Sequence, residues 1–69
     1  MQWQEVNPGV QWVLIDENRI VRQVMKLGPY LGFPNATYRV TGGESYTDHA
    51  TPEEAIAAAE ASAREAAGD

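Results

Sequence analysis

The spacing of hydrophobic and polar positions changes from strand-like to helix-like along this chain of 69 residues, and the clearest signal lies at its end. Residues 51–67 place Ile56, Ala59, Ala63 and Ala66 at helical spacing, with Ala55 beside them, while Glu53, Glu60, Arg64 and Glu65 turn to water. Thr51 can cap the first turn, Pro52 fits the first helical position, and Glu54 follows three residues after the cap as in a capping box. Gly68 supplies a stop. The pattern predicts a helix over 51–67 whose inward stripe is nearly all alanine. So thin a stripe needs aromatic and branched side chains opposite it, which makes the helix a lid on a sheet.

The preceding residues supply that sheet. Residues 10–16 and 19–27 are rich in β-branched and aromatic side chains and read as two strands joined by Glu17-Asn18. A regular hairpin sets Asp16 opposite Arg19, Ile15 opposite Ile20 and Leu14 opposite Val21. One face then carries Val10, Trp12, Leu14, Val21, Met25 and Leu27 and is expected under the helix. The other carries Val13, Ile15, Ile20 and Val24, with Gln11, Arg22 and Lys26 among them. A one-residue bulge at the turn exchanges the two faces. Residues 36–41 alternate as a third strand, with Ala36, Tyr38 and Val40 inward and Thr37, Arg39 and Thr41 outward. Gly42-Gly43 is a turn, and residues 44–47 form a short fourth strand if they pair, with Tyr46 inward.

The expected fold is therefore α+β: an antiparallel sheet of three strands, or four, with one C-terminal helix packed on one face (βββα). A single small domain spans 1–69, with an N-terminal arm or short edge strand over 1–9, a sheet over 10–48 interrupted by a loop at 28–35, and the helix. Core candidates are Trp12, Leu14, Val21, Met25, Tyr38, Val40, Tyr46, Ile56, Ala59 and Ala63.

Size adds a constraint. At this length a single core rarely supplies more than ~3–5 kcal/mol, and a chain without cysteine has no disulfide to help. Self-association into a homodimer is the remaining common staple, and Val13, Ile15, Ile20 and Val24 form the candidate dimer face. Net charge is −5, unevenly spread: residues 1–41 carry four cations against three acids, and residues 42–69 one cation against seven acids. That acidic half disfavours a general nucleic-acid binder, which needs clustered Lys and Arg. No apolar run approaches the ~18 residues of a membrane span and the start has no signal-peptide pattern, so a cytoplasmic protein is expected.

Chemistry is sparse. His49 is the only histidine, and Asp48 beside it in sequence is a poor orienting acid because neighbouring side chains need not face one another. Gly42-Gly43-Glu44-Ser45 lacks the lysine of a phosphate loop and the frame of a nucleophile turn, so it reads as a hairpin turn. No catalytic, cofactor-binding or metal residue is assigned, no cofactor is expected, and the chain reads as a non-enzyme. Tyr30, Leu31 and Phe33 in the 28–35 loop, with Trp3, are candidate partner contacts, because aromatics anchor interfaces. Arg22, Lys26 and Arg39, taken as sharing the outer sheet face, are candidate anion contacts. The expected function is a protein–protein interaction module acting through a sheet face or the aromatic loop. The alternatives are a nucleic-acid-associated protein using the basic face, or an acidic inhibitor that mimics nucleic-acid charge.

Trp12, the turn at Asp16-Glu17-Asn18, Ile20-Val21, Tyr38-Arg39-Val40, Gly43 and Thr51-Pro52-Glu53-Glu54-Ala55 together resemble the short strand-strand-strand-helix proteins of phage and prophage genes. The resemblance covers most of residues 10–67 and implies the same fold. The Thr-x-Glu-Glu-Ala helix start is also similar to that of HicB antitoxins. The chain lacks that family's Gly-Asp before the threonine and its strand after the helix, and no role is carried over.

Overall fold

A computed structural model describes residues 1–30 and 32–68. Five strands, β1 (Gln2–Asn7), β2 (Gln11–Asp16), β3 (Arg19–Leu27), β4 (Thr37–Thr41) and β5 (Thr47–His49), form one antiparallel meander in chain order, followed by α1 (Pro52–Gly68). The α+β class and the C-terminal helix are as expected; the strand count is higher. The supposed arm is a full edge strand, because Asn7-Pro8-Gly9 folds the chain straight back. Gly9 takes φ +74° and the Val10 N–H donates to the Asn7 carbonyl at 2.9 Å. Two glutamines, a glutamate and an asparagine in β1 gave little apolar alternation from which to read a strand.

The β2–β3 turn has both central residues at positive φ, Glu17 at 51° and Asn18 at 64°, as a two-residue hairpin loop requires. Asp16 pairs with Arg19 and Ile15 with Ile20, as the sequence predicts. A bulge then follows, so Leu14 pairs with Arg22 and not with Val21. From Arg22 onward the two faces of β3 are exchanged relative to a regular ladder. Cross-strand rows make this concrete. One row runs Glu5, Trp12, Val24, Val40, Thr47 on the helix side; its neighbour runs Gln11, Met25, Arg39, Asp48 on the open side.

The core corrects the sequence reading accordingly. Val24, expected outside, is fully buried with Leu14, while Met25, expected inside, is 38% exposed on the open face. Val24 and Val40 pack against Ala55 and Ala59, with Trp3, Trp12, Tyr38 and Ile56 closing around them. The buried stripe of α1 is Ala55, Ala59 and Ala63; Ala59 and Ala63 are as expected, while Ala55 takes the buried place given to Ile56, which sits at the flank, and Ala66 is exposed. Thr51 caps the helix by accepting the Glu54 N–H at 3.2 Å, and the Ala55 N–H donates to the Thr51 carbonyl at 3.2 Å. Tyr46, expected inside, is 59% exposed, because β5 begins three residues later than anticipated, at Thr47, which pairs with Val40. Strand alternation then sends Tyr46 out with Asp48.

Among the described residues no helix is long and apolar enough to cross a membrane.

Candidate functional site

Two surfaces carry the polar and aromatic groups that the core does not use. The first is the open face at its β3–β4–β5 end. Arg39, mid-strand in β4, faces Asp48 across the ladder and donates from Nε to Oδ1 at 2.8 Å and from Nη2 to Oδ2 at 3.1 Å. The paired donors of the guanidinium match the two carboxylate oxygens, so the planar group has one orientation. In it, Arg39 lies over the Tyr46 ring at 4.0 Å from the centroid and over Phe33 at 5.6 Å. Phe33 meets Tyr30 edge to face at 5.7 Å, and the two residues exchange backbone hydrogen bonds of 2.8 Å. Tyr30, 54% exposed, thus joins Phe33, Arg39, Tyr46 and Met25 in one patch on the open face. Hydrogen bonding to Arg39 holds the Asp48 carboxyl below its ordinary range, and the same contact raises the Arg39 guanidinium.

The second surface is a cleft of about 570 Å³ on the opposite side, between α1 and the β4–β5 turn. Arg22 lies at the bulge and reaches α1 from there. It donates from Nε to the Ser62 hydroxyl at 2.9 Å and from Nη2 to the Ser62 carbonyl at 3.2 Å. Its Nη1 donates to the carbonyls of Val21 at 2.6 Å and Gly42 at 3.3 Å. Glu44, Ser45, His49 and Glu65 line the same cleft. The Nε2 of His49 lies 2.9 Å from the Thr47 hydroxyl. Asp48 points to the open face and is held by Arg39, so it does not orient His49. Ser45 and His49 line one cleft, but no hydrogen bond joins them among the described residues.

The sequence-predicted contacts are therefore redistributed. The three cations do not share a face: Arg39 is on the open side, while Arg22 and Lys26 lie in register on the helix side. The exchange of faces at the bulge is the reason. The proposed dimer face loses Val24 to the core for the same cause. Val13 stays on the open side but is only 4% exposed, set between Gln4 and Gln23 in the ladder, and Gln11 bridges to Gln23 at 2.6 Å. Ile15 is half-buried, and Ile20 opposite it is 59% exposed. Trp3 packs toward the core, with its buried indole N–H unpartnered among the described residues, and is not an exposed contact. Leu31 lies outside the described residues. Sequence reasoning missed Tyr46 as a surface residue; its even spacing with Asp48 was the available signal. It also missed the contact of Ser62 with Arg22 and the place of Glu65 in the same cleft, for which the sequence offers no signal.

No cluster of three or more His, Cys, Asp or Glu side chains suited to a metal occurs among the described residues. Comparison of the chain with protein-family models, curated proteins and solved structures finds no match.

Proposed function

We propose that this protein is a small non-enzymatic binding module of phage type, acting in the cytoplasm, that engages a protein partner through the open sheet face around Arg39, Tyr46, Phe33 and Tyr30. One observation carries the reading: an arginine fixed by Asp48 and stacked on Tyr46 stands inside an exposed aromatic patch. Tyrosine and arginine are enriched among the residues that dominate binding energy. An arginine already fixed in place also loses less freedom on binding, which favours affinity. Met25 and the Tyr30–Phe33 turn extend the patch, and its polar rim is Gln11 and Gln23. The partner is a second copy or a different protein.

The test combines light scattering with affinity capture, using the wild-type chain and a Phe33→Ala/Tyr46→Ala variant. The reading expects either a dimer or a specific captured protein with the wild type, and loss of that species in the variant with its circular dichroism unchanged. A strictly monomeric wild type that captures nothing, or a partner retained equally by the variant, defeats it.

A further inference from the structure

We propose that the cleft between α1 and the β4–β5 turn is a second, separate site, for a small ligand bearing both a carboxylate and a cationic head. A basic amino acid and the C-terminal residue of a basic peptide share that chemistry.

The carboxylate half follows from Arg22. No carboxylate lies within 4.0 Å of its guanidinium among the described residues, although the chain carries net charge −5. All four of its hydrogen bonds go to neutral oxygens. A guanidinium has five N–H groups, so one on Nη2 has no partner among the described residues. The adjoining turn residue is Gly43, where a Cβ would stand 3.5 Å from Nη2 and 3.6 Å from Cζ and Nε. With hydrogen at that position the charged group stays accessible from the cleft. A half-buried cation with neutral partners and an open approach is the arrangement that binds an oxyanion.

The cationic half follows from the walls. Glu44 and Glu65 line the same cleft, and neither pairs with a cation among the described residues. Two carboxylates beside one guanidinium repel a doubly charged phosphate. They favour a ligand that brings a positive group of its own. The cleft, about 570 Å³, is within the size range of small-molecule sites, and Ser45 and His49 add neutral polar groups for orientation. This site lies across the sheet from the aromatic patch and does not depend on it.

The experiment is an amide NMR titration of the full chain with free arginine, argininamide, acetate and an N-acetylated dipeptide ending in arginine. Saturable millimolar binding of arginine is expected, moving the Gly43, Ser45, His49 and Ser62 resonances. Argininamide and acetate should each bind at least about tenfold more weakly, the size of one lost charge-assisted contact. An E44Q/E65Q variant, altered only at exposed walls, should weaken arginine and strengthen acetate. A dipeptide that binds as tightly as arginine places the site with chain termini; weaker binding places it with the free amino acid. Argininamide binding equal to that of arginine, or shifts that never saturate, overturns the proposal. That comparison uses wild-type protein, so it holds even if R22Q, which should abolish binding, fails to fold.

Discussion

The Arg22 guanidinium spans 40 residues of sequence to take both oxygens of Ser62, the hydroxyl at 2.9 Å and the carbonyl at 3.2 Å. Ser62 in turn donates its hydroxyl to the Ala59 carbonyl at 3.1 Å, inside the helix. Since Arg22 also binds the carbonyls of Val21 and Gly42, one side chain ties the bulge, the β4–β5 turn and the helix together.

Ser62→Ala should therefore cost about 1 kcal/mol in urea unfolding, the worth of one hydrogen bond. Arg22→Ala removes four bonds and should cost about 2 kcal/mol or more. The two changes should be non-additive by at least about 0.5 kcal/mol in a double-mutant cycle, because they share a contact. Strict additivity would show that the Arg22–Ser62 contact contributes nothing to stability.

The exchange of faces at the bulge makes neighbouring residues behave oppositely. Val24 is fully buried beneath Ala55 and Ala59, so Val24→Ala should cost about 2 kcal/mol or more from lost burial and the cavity left behind. Met25 lies on the open face, so Met25→Ala should stay within about 1 kcal/mol of wild type. A regular β2–β3 ladder requires the reverse order, and chemical denaturation of the two variants decides between them.

That pair also shows what the sequence could convey. The helix, its alanine face, the Glu17-Asn18 turn and the alternation of Tyr38 and Val40 were legible, since each rests on local periodicity or turn chemistry. The bulge was not. Ile-Val-Arg-Gln-Val-Met carries apolar residues on both parities, so either register offers a plausible inner face. The choice depends on what the helix needs beneath it: small Val24 against Ala55 and Ala59, and Arg22 near Ser62. One register step then moved Val24, Met25, Arg22 and Lys26 at once. Of the candidate contacts, Tyr30, Phe33 and Arg39 come together because loop and strand fold onto one face, a long-range fact no spacing reveals.

Acid should weaken the open-face pair. Hydrogen bonding to Arg39 depresses the folded-state pKa of Asp48 below its ordinary value of 3.8. A depressed carboxyl contributes stability that is fully present above the unfolded pKa and is lost as pH falls through the folded one. The stability difference between wild type and Asp48→Asn should thus be constant near neutrality and shrink below about pH 4. It should also shrink with added salt, because the pair is partly exposed. Urea midpoints for both proteins across the acid range provide the measurement; a difference that persists into strong acid would exclude the charge interaction as its source.

The two turn glycines should differ in tolerance although they adjoin. Gly42 has φ +109°, and a Cβ there would stand 2.8 Å from the Val21 carbonyl oxygen and 3.1 Å from the Arg22 Cα, both backbone atoms of the bulged strand. Neither can yield without moving the strand that carries Arg22. Gly42→Ala should therefore cost about 2 kcal/mol or more, from backbone strain and from displacement of the carbonyl that accepts Arg22. Gly43 lies outside the left-handed region, and the atoms nearest to its added Cβ would be those of the guanidinium, at ordinary contact distances. Gly43→Ala should remain within about 0.5 kcal/mol of wild type. Thermal unfolding of both variants separates the causes: equal losses would mean general turn flexibility matters, whereas loss at Gly42 alone ties the turn's conformation to the bulge it packs against.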